Sequence, residues 1–241
     1  MEPVYGLARA IAYPIRPLFH IRRIGSRRVP RQGPVLLACN HISLLDPLIV
    51  LWLGECTRRK IRFLAMAELW KSAVLRFFLE HTHQIPVNRA SAGALGSLES
   101  AGDALRAGEC VAFFPEGEIS TDLELMPGKT GIARLAASTG VPVTPMGVWG
   151  SQRVHAKGRK PKAPWGIALS IVVGPPIAVA PDDNVFDATD RIMEAVAECV
   201  ATARAIYPQV PDDGEDPWWV RSPTSAVMRP AKRERDRSRW S

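Results

Sequence analysis

The seven residues Asn40-His41-Ile42-Ser43-Leu44-Leu45-Asp46 hold the side chains best suited to chemistry. A carboxylate beside an imidazole accepts the Nδ1 proton, fixes the tautomer and leaves Nε2 free as a base toward a hydroxyl or a water. The interval from His41 to Asp46 is five residues, one more than the same-face spacing of a regular helix. Contact therefore requires the histidine in a turn and the aspartate in the first turn of the helix that follows. The same pair also suits a structural histidine, so spacing alone leaves both readings open. Two further clusters lie downstream. Phe113-Phe114-Pro115-Glu116-Gly117 sets an acid and a glycine at a strand end, where α/β proteins bind ligands. Ile85-Pro86-Val87-Asn88-Arg89 delivers an arginine to a loop, either as a planar phosphate fork or as a solvated or capping group.

Positioning these groups requires alternating elements. Strands are predicted at Val35–Cys39, Arg62–Met66, Gln84–Val87, Val111–Phe114, Val141–Val148 and Ile167–Val173. A buried helical turn is predicted at Pro47–Trp52, with helices at Trp70–Leu79, Ser91–Arg106, Gly131–Thr139 and about Asp187–Ile206. Strands alternating with helices predict a single α/β domain, a mixed sheet flanked by helices, over residues 25–207. Residues 1–24 read as an amphipathic helical segment: Leu7, Ile11, Ile15, Leu18 and Phe19 recur at helical spacing among Arg9, Arg16, Arg22 and Arg23, with Pro14 and Pro17 kinking it. It suits a lipid headgroup layer or packing on its own domain. Residues 208–241 read as a Pro/acidic linker and a mobile basic tail, in which Trp218, Trp219 and Trp240 either anchor at a membrane or pack on the domain.

The whole chain has 241 residues, 46% hydrophobic and 23% charged, which excludes wholesale disorder, collagen and coiled coil. Its net charge is +7, and residues 1–31 hold seven arginines against Glu2, a bias toward an anionic partner. No run is apolar enough to span a bilayer, and arginines and prolines interrupt any leader-like stretch. Cys39, Cys56, Cys110 and Cys199 lack zinc-ligand spacing and read as reduced, buried thiols of a cytosol-facing protein.

Four ordered blocks, Asn40-His41 to Asp46, Pro86-Val87-Asn88-Arg89, Phe114-Pro115-Glu116-Gly117 and Val141-Pro142-Val143-Thr144-Pro145, resemble the PlsC-like glycerolipid acyltransferase family over residues 25–205. The resemblance implies acyl transfer from acyl-CoA or acyl carrier protein to a hydroxyl of a lysophospholipid, 1-acylglycerol-3-phosphate in the first instance. His41 is then the general base and Asp46 its orienter. The acceptor site draws on Arg89, Glu116, Gly117 and Lys129, supported by Asn40, Pro115 and Ser120. The oxygen attacks the thioester directly, at the cytoplasmic face of a membrane on which the protein is peripheral. Neither cofactor nor metal is expected.

One departure stands out. The family's third block commonly continues Thr-Arg-Ser, whereas this chain has Glu118-Ile119-Ser120. A phosphate beside the extra carboxylate is penalised unless a cation intervenes. A different acceptor, or a lipid-binding member without catalysis, are the alternative expectations. Gly128-Lys129-Thr130 lacks the upstream glycine of a phosphate loop, and no Gly-x-Ser-x-Gly elbow occurs. His81-Thr82-His83 has no acidic or cysteine partner nearby in sequence. Nothing resembles a recognition helix or aromatic platform, so nucleic acid is not an expected partner.

Overall fold

A computed structural model describes residues 16–87 and 91–220. Seven strands form one mixed sheet: β1 (Phe19–Ile24), β2 (Val35–Cys39), β3 (Ile61–Met66), β4 (Ile85–Val87), β5 (Cys110–Phe113), β6 (Val143–Trp149) and β7 (Ile167–Val173). Their spatial order is β1-β7-β6-β2-β5-β3-β4. All neighbours run parallel except β6 and β7. Hence β7 and β1 run opposite to the other five. Their first residues share one rim of the sheet with the last residues of β2, β5 and β6.

The central strand β2 shows why the sheet forms. All five of its residues are buried, as expected where helices cover both faces. Side chains alternate between the faces. Leu37 and Cys39 meet Ile49, Val50 and Leu53 of α1 (Asp46–Thr57). Leu36 and Ala38 meet the opposite layer, made by α3 (Ser91–Arg106), α4 (Gly131–Thr139) and α6 (Val185–Ala205). Shorter helices α2 (Ala73–His81) and α5 (Gln152–His155) complete the set. Asn184 caps α6 by accepting the amides of Phe186 and Asp187.

Three expectations are corrected. The segment assigned to an N-terminal amphipathic helix falls largely on residues 1–15, outside the described residues. Its remainder is a 3-10 turn (Arg16–Leu18) and then the strand β1. Ladder bonds to β7 and burial of Phe19 against Trp52, ring centroids 5.4 Å apart, outweigh the helical spacing. The domain therefore begins before residue 25. At the other end, residues 208–217 of the expected linker are mostly exposed, and Trp219 beyond them takes the packed alternative. Trp219 is 1% exposed, its Nε1 donates to Glu215 (3.1 Å), and Arg153 lies over its ring at 4.0 Å. Trp240 and the rest of the basic tail lie outside the described residues. Finally, Cys39, Cys110 and Cys199 are buried, but Cys56 is exposed. The helix expected at Trp70–Leu79 is split into a 3-10 turn, Ala67–Lys71, and α2.

Sheet and helix approach closely at Gly147 of β6. A Cβ there would lie 2.3 Å from the carbonyl carbon of Cys199 in α6. Gly147→Ala should therefore cost about 3 kcal/mol or more by forcing backbone apart. Gly96→Ala, in α3 with open space around it, should instead stabilise by up to about 1 kcal/mol. Urea midpoints of the two variants check the contrast.

Candidate active site

The site is built on the rim where β2, β5 and β6 end. Asn40, directly after β2, is 2% exposed and extends the pairing with β6 through its amide: Nδ2 donates to Val148 O (3.1 Å) and Oδ1 accepts Val148 N (2.8 Å). The chain then turns, and α1 starts at Asp46. This is the arrangement that the five-residue interval demanded.

Asp46 is fully buried and accepts four hydrogen bonds. Its Oδ2 takes His41 Nδ1 (3.0 Å), Ile42 N (2.7 Å) and Ser43 N (2.8 Å); its Oδ1 takes the Ser151 hydroxyl (2.6 Å). A buried carboxylate persists only when so satisfied, and its place at a helix N-terminus favours negative charge further. With Nδ1 held by Asp46, Nε2 is the nitrogen left for chemistry. The ring stacks on Phe114 (centroids 4.2 Å apart) with 15% of the side chain exposed, so it is fixed yet reachable.

Glu116 grips the same residue from the other side. Its Oε1 accepts His41 N (2.6 Å) and its Oε2 accepts Met126 N (2.9 Å). Expected at the acceptor site, its carboxyl is 3% exposed and fully occupied by main-chain donors. Here it ties the His41 turn to the Pro115–Lys129 loop. Ser120 N donates to His41 O (2.8 Å), and Lys129 N to Pro115 O (2.9 Å). Gly117 has φ +71, and a Cβ on it would stand 2.5 Å from Lys129 Nζ. Glycine is favoured there by its left-handed conformation, whereas the Lys129 ammonium is the end of a flexible side chain that can move aside.

Thus Asn40, His41, Asp46, Pro115, Glu116, Gly117, Ser120 and Lys129 converge on one rim. Arg89 lies outside the described residues. Sequence reading missed Ser151, Phe114 as the ring's platform, and Lys157, whose Nζ stands 3.6 Å from the Glu118 carboxylate. Ser151 and Lys157 belong to no local motif, since both come from the connection between β6 and β7, whereas Phe114 stands within the third block.

A family model described as Acyltransferase matches residues 20–149, more than half of the chain. The chain belongs to the acyltransferase family. It is 28% identical over 199 residues to a 1-acyl-sn-glycerol-3-phosphate acyltransferase of Chlamydomonas reinhardtii, covering 80% of this chain and 58% of that protein. A chloroplastic 1-acyl-sn-glycerol-3-phosphate acyltransferase of Brassica napus is 27% identical over 185 residues, covering 76% and 52%. The chain therefore spans a little over half the length of those two relatives. Its fold matches the crystal structure of the 1-acyl-sn-glycerophosphate acyltransferase PlsC from Thermotoga maritima, with a TM-score of 0.67, 24% identity and coverage of 79% and 75%.

At this site, burial pushes the Glu116 carboxyl up to about 8, against the two amide donors, which favour its charged form. A carboxyl raised on folding binds its proton more tightly in the folded state. Stability is then highest below the ordinary value near 4.5 and declines as pH rises toward 8. Glu116→Gln replaces one acceptor by an NH₂ facing an amide, at a cost of about 1–3 kcal/mol. Urea midpoints at pH 5 and pH 8 should show the wild type losing stability between them, and the variant losing less. Ser151→Ala removes a donor from the buried Asp46 carboxylate, for about 1.5–3 kcal/mol in thermal denaturation.

Proposed function

We propose that this chain is a 1-acylglycerol-3-phosphate O-acyltransferase of phospholipid biosynthesis, working peripherally at the cytoplasmic face of a membrane. The observation carrying this reading is the His41 Nδ1–Asp46 Oδ2 bond of 3.0 Å, which leaves Nε2 on a ring reachable at the rim. The activity for which the relatives are named points to the same acceptor.

The chemistry follows from that nitrogen. Nε2 takes the proton of the acceptor hydroxyl as its oxygen attacks the thioester carbonyl of acyl-CoA or acyl carrier protein. The imidazolium that forms is stabilised by Asp46. The tetrahedral intermediate collapses with cleavage of the carbon–sulfur bond, and the proton on Nε2 passes to the departing thiolate. Ester and thiol are the products, and no acyl-enzyme forms.

Two cations support a phosphomonoester acceptor despite Glu118. Lys157 stands 3.6 Å from that carboxylate and offsets its charge, and Lys129 Nζ lies over Gly117 at the same loop. These are the intervening positive charges that the altered Glu118-Ile119 pair requires.

His41→Ala should reduce thiol release from acyl-CoA, with lysophosphatidate as acceptor, by at least about 10²-fold, with an unchanged circular dichroism spectrum. Retention of a tenth of wild-type turnover would overturn the general-base role. Mass spectrometry of products from mixed lysolipids should show phosphatidate in excess over every other acylated product.

A further inference from the structure

Loop 156–166, Ala-Lys-Gly-Arg-Lys-Pro-Lys-Ala-Pro-Trp-Gly, joins α5 to β7. It holds Lys157, Arg159, Lys160 and Lys162 and no acid, and Trp165 near its end is 73% exposed. Among the described residues, no ring or cation contact covers this indole on its loop of cations. Loop position is not accidental to the site. Ser43 Oγ binds the carbonyls of Ser151 (3.1 Å) and His155 (2.8 Å), so the loop departs from the brace of the His41–Asp46 pair.

The loop is held in this pose. Lys162 N donates to Val154 O (2.8 Å), and the Arg159 guanidinium lies over Trp218 at 4.0 Å. Nearby acids offset part of its charge: Asp216 stands 4.0 Å from Arg159, Glu215 stands 4.0 Å from Arg153, and Glu118 pairs with Lys157. Lys162 also faces Glu215, whose carboxyl it helps hold down. Even so, the cleft between the loop and residues 215–218, about 310 Å³, is lined by Arg153, Arg159, Lys160 and Lys162 against two carboxylates.

Topology gives the loop a plane to share. Gly166 N donates to Leu18 O (2.9 Å), so the N-terminal chain reaches the domain beside Trp165. Because β1 and β7 begin on the rim where β2 and β3 end, Leu44 (58% exposed) and Met66 (41%) stand on that rim too. An exposed indole, flanking cations and exposed aliphatic side chains on one rim fit the interface of an anionic bilayer.

We infer that loop 156–166 docks this protein on anionic lipid, with Lys160 and Lys162 on headgroup phosphates and Trp165 at the acyl boundary, presenting the His41 rim to the membrane. The inference rests on the acyltransferase reading only for its purpose, the delivery of a lipid acceptor to His41.

Sedimentation of the full chain with vesicles of phosphatidylcholine, alone or with one quarter phosphatidylglycerol, tests it. The wild type should bind the anionic vesicles and release them as salt rises. K160Q/K162Q should lower the partition coefficient about fivefold per lysine, roughly 30-fold together, and Trp165→Ala should lower it on both vesicle types. Each variant should keep wild-type turnover with a short-chain acceptor below its micelle concentration. Binding by the variants equal to wild type overturns the inference, as does loss of turnover only with acyl carrier protein as donor, which would make the loop a protein-docking surface. A wild type inactive with the dispersed acceptor refutes the acyltransferase reading instead, and the vesicle data still decide the role of the loop.

Discussion

The constraint on which the rest depends is the buried charge of Asp46. A carboxylate removed from water is tolerable only when its oxygens are satisfied, and here four donors do so: one imidazole, two amides and one hydroxyl. The donors come from both ends of the problem. His41, Ile42 and Ser43 lie on the turn after β2, whereas Ser151 follows β6. The sheet order sets β6 beside β2, and Asn40 locks the two through Val148. The orientation of the imidazole is thus a consequence of keeping a charge comfortable inside the fold.

Glu116 complements that arrangement. It is the second buried carboxyl at the rim, and the nearby Asp46 charge adds to the burial that raises it. His41 sits between them, its ring on Asp46 and its amide on Glu116. Side chain and main chain of one residue are therefore fixed by two separate acids. With Phe114 stacked on the ring, His41 loses most of the rotamers that would take Nε2 off the rim. Preorganisation of this kind reduces the entropy that reaching an attack geometry otherwise costs.

What could be read from the residues was what they decide locally. Apolar runs located β2 and β7 with their observed bounds, and Gly131–Thr139 is a helix as the spacing predicted. The His41–Asp46 contact was legible because both partners lie in one turn. Ser151 was not, since 105 residues separate it from Asp46 and only strand order brings them together. Phe19–Ile24 misled for a related reason: helical spacing read from Leu7 to Phe19 was extended over it, but a neighbouring strand 148 positions away in the ladder satisfies its backbone instead. Trp219 was ambiguous by composition and is settled by burial beside Arg153 and Tyr207.

The Glu118-Ile119 pair shows how far a local reading reaches. Along the chain, replacing a basic residue by isoleucine next to an added acid reads as hostility to phosphate. In three dimensions the loop after α5 brings Lys157 to that acid, and the Lys129 ammonium lies over Gly117. Lys129, already expected at the acceptor site, stands on the same loop, whereas Lys157 comes from another, which no motif confined to one loop can register. The loop that supplies Lys157 is also the one bearing Lys160, Lys162 and Trp165. If it docks on anionic lipid, the charge set beside Glu118 and the charge that meets the bilayer belong to one short segment. Headgroup preference and membrane residence would then change together when that segment changes.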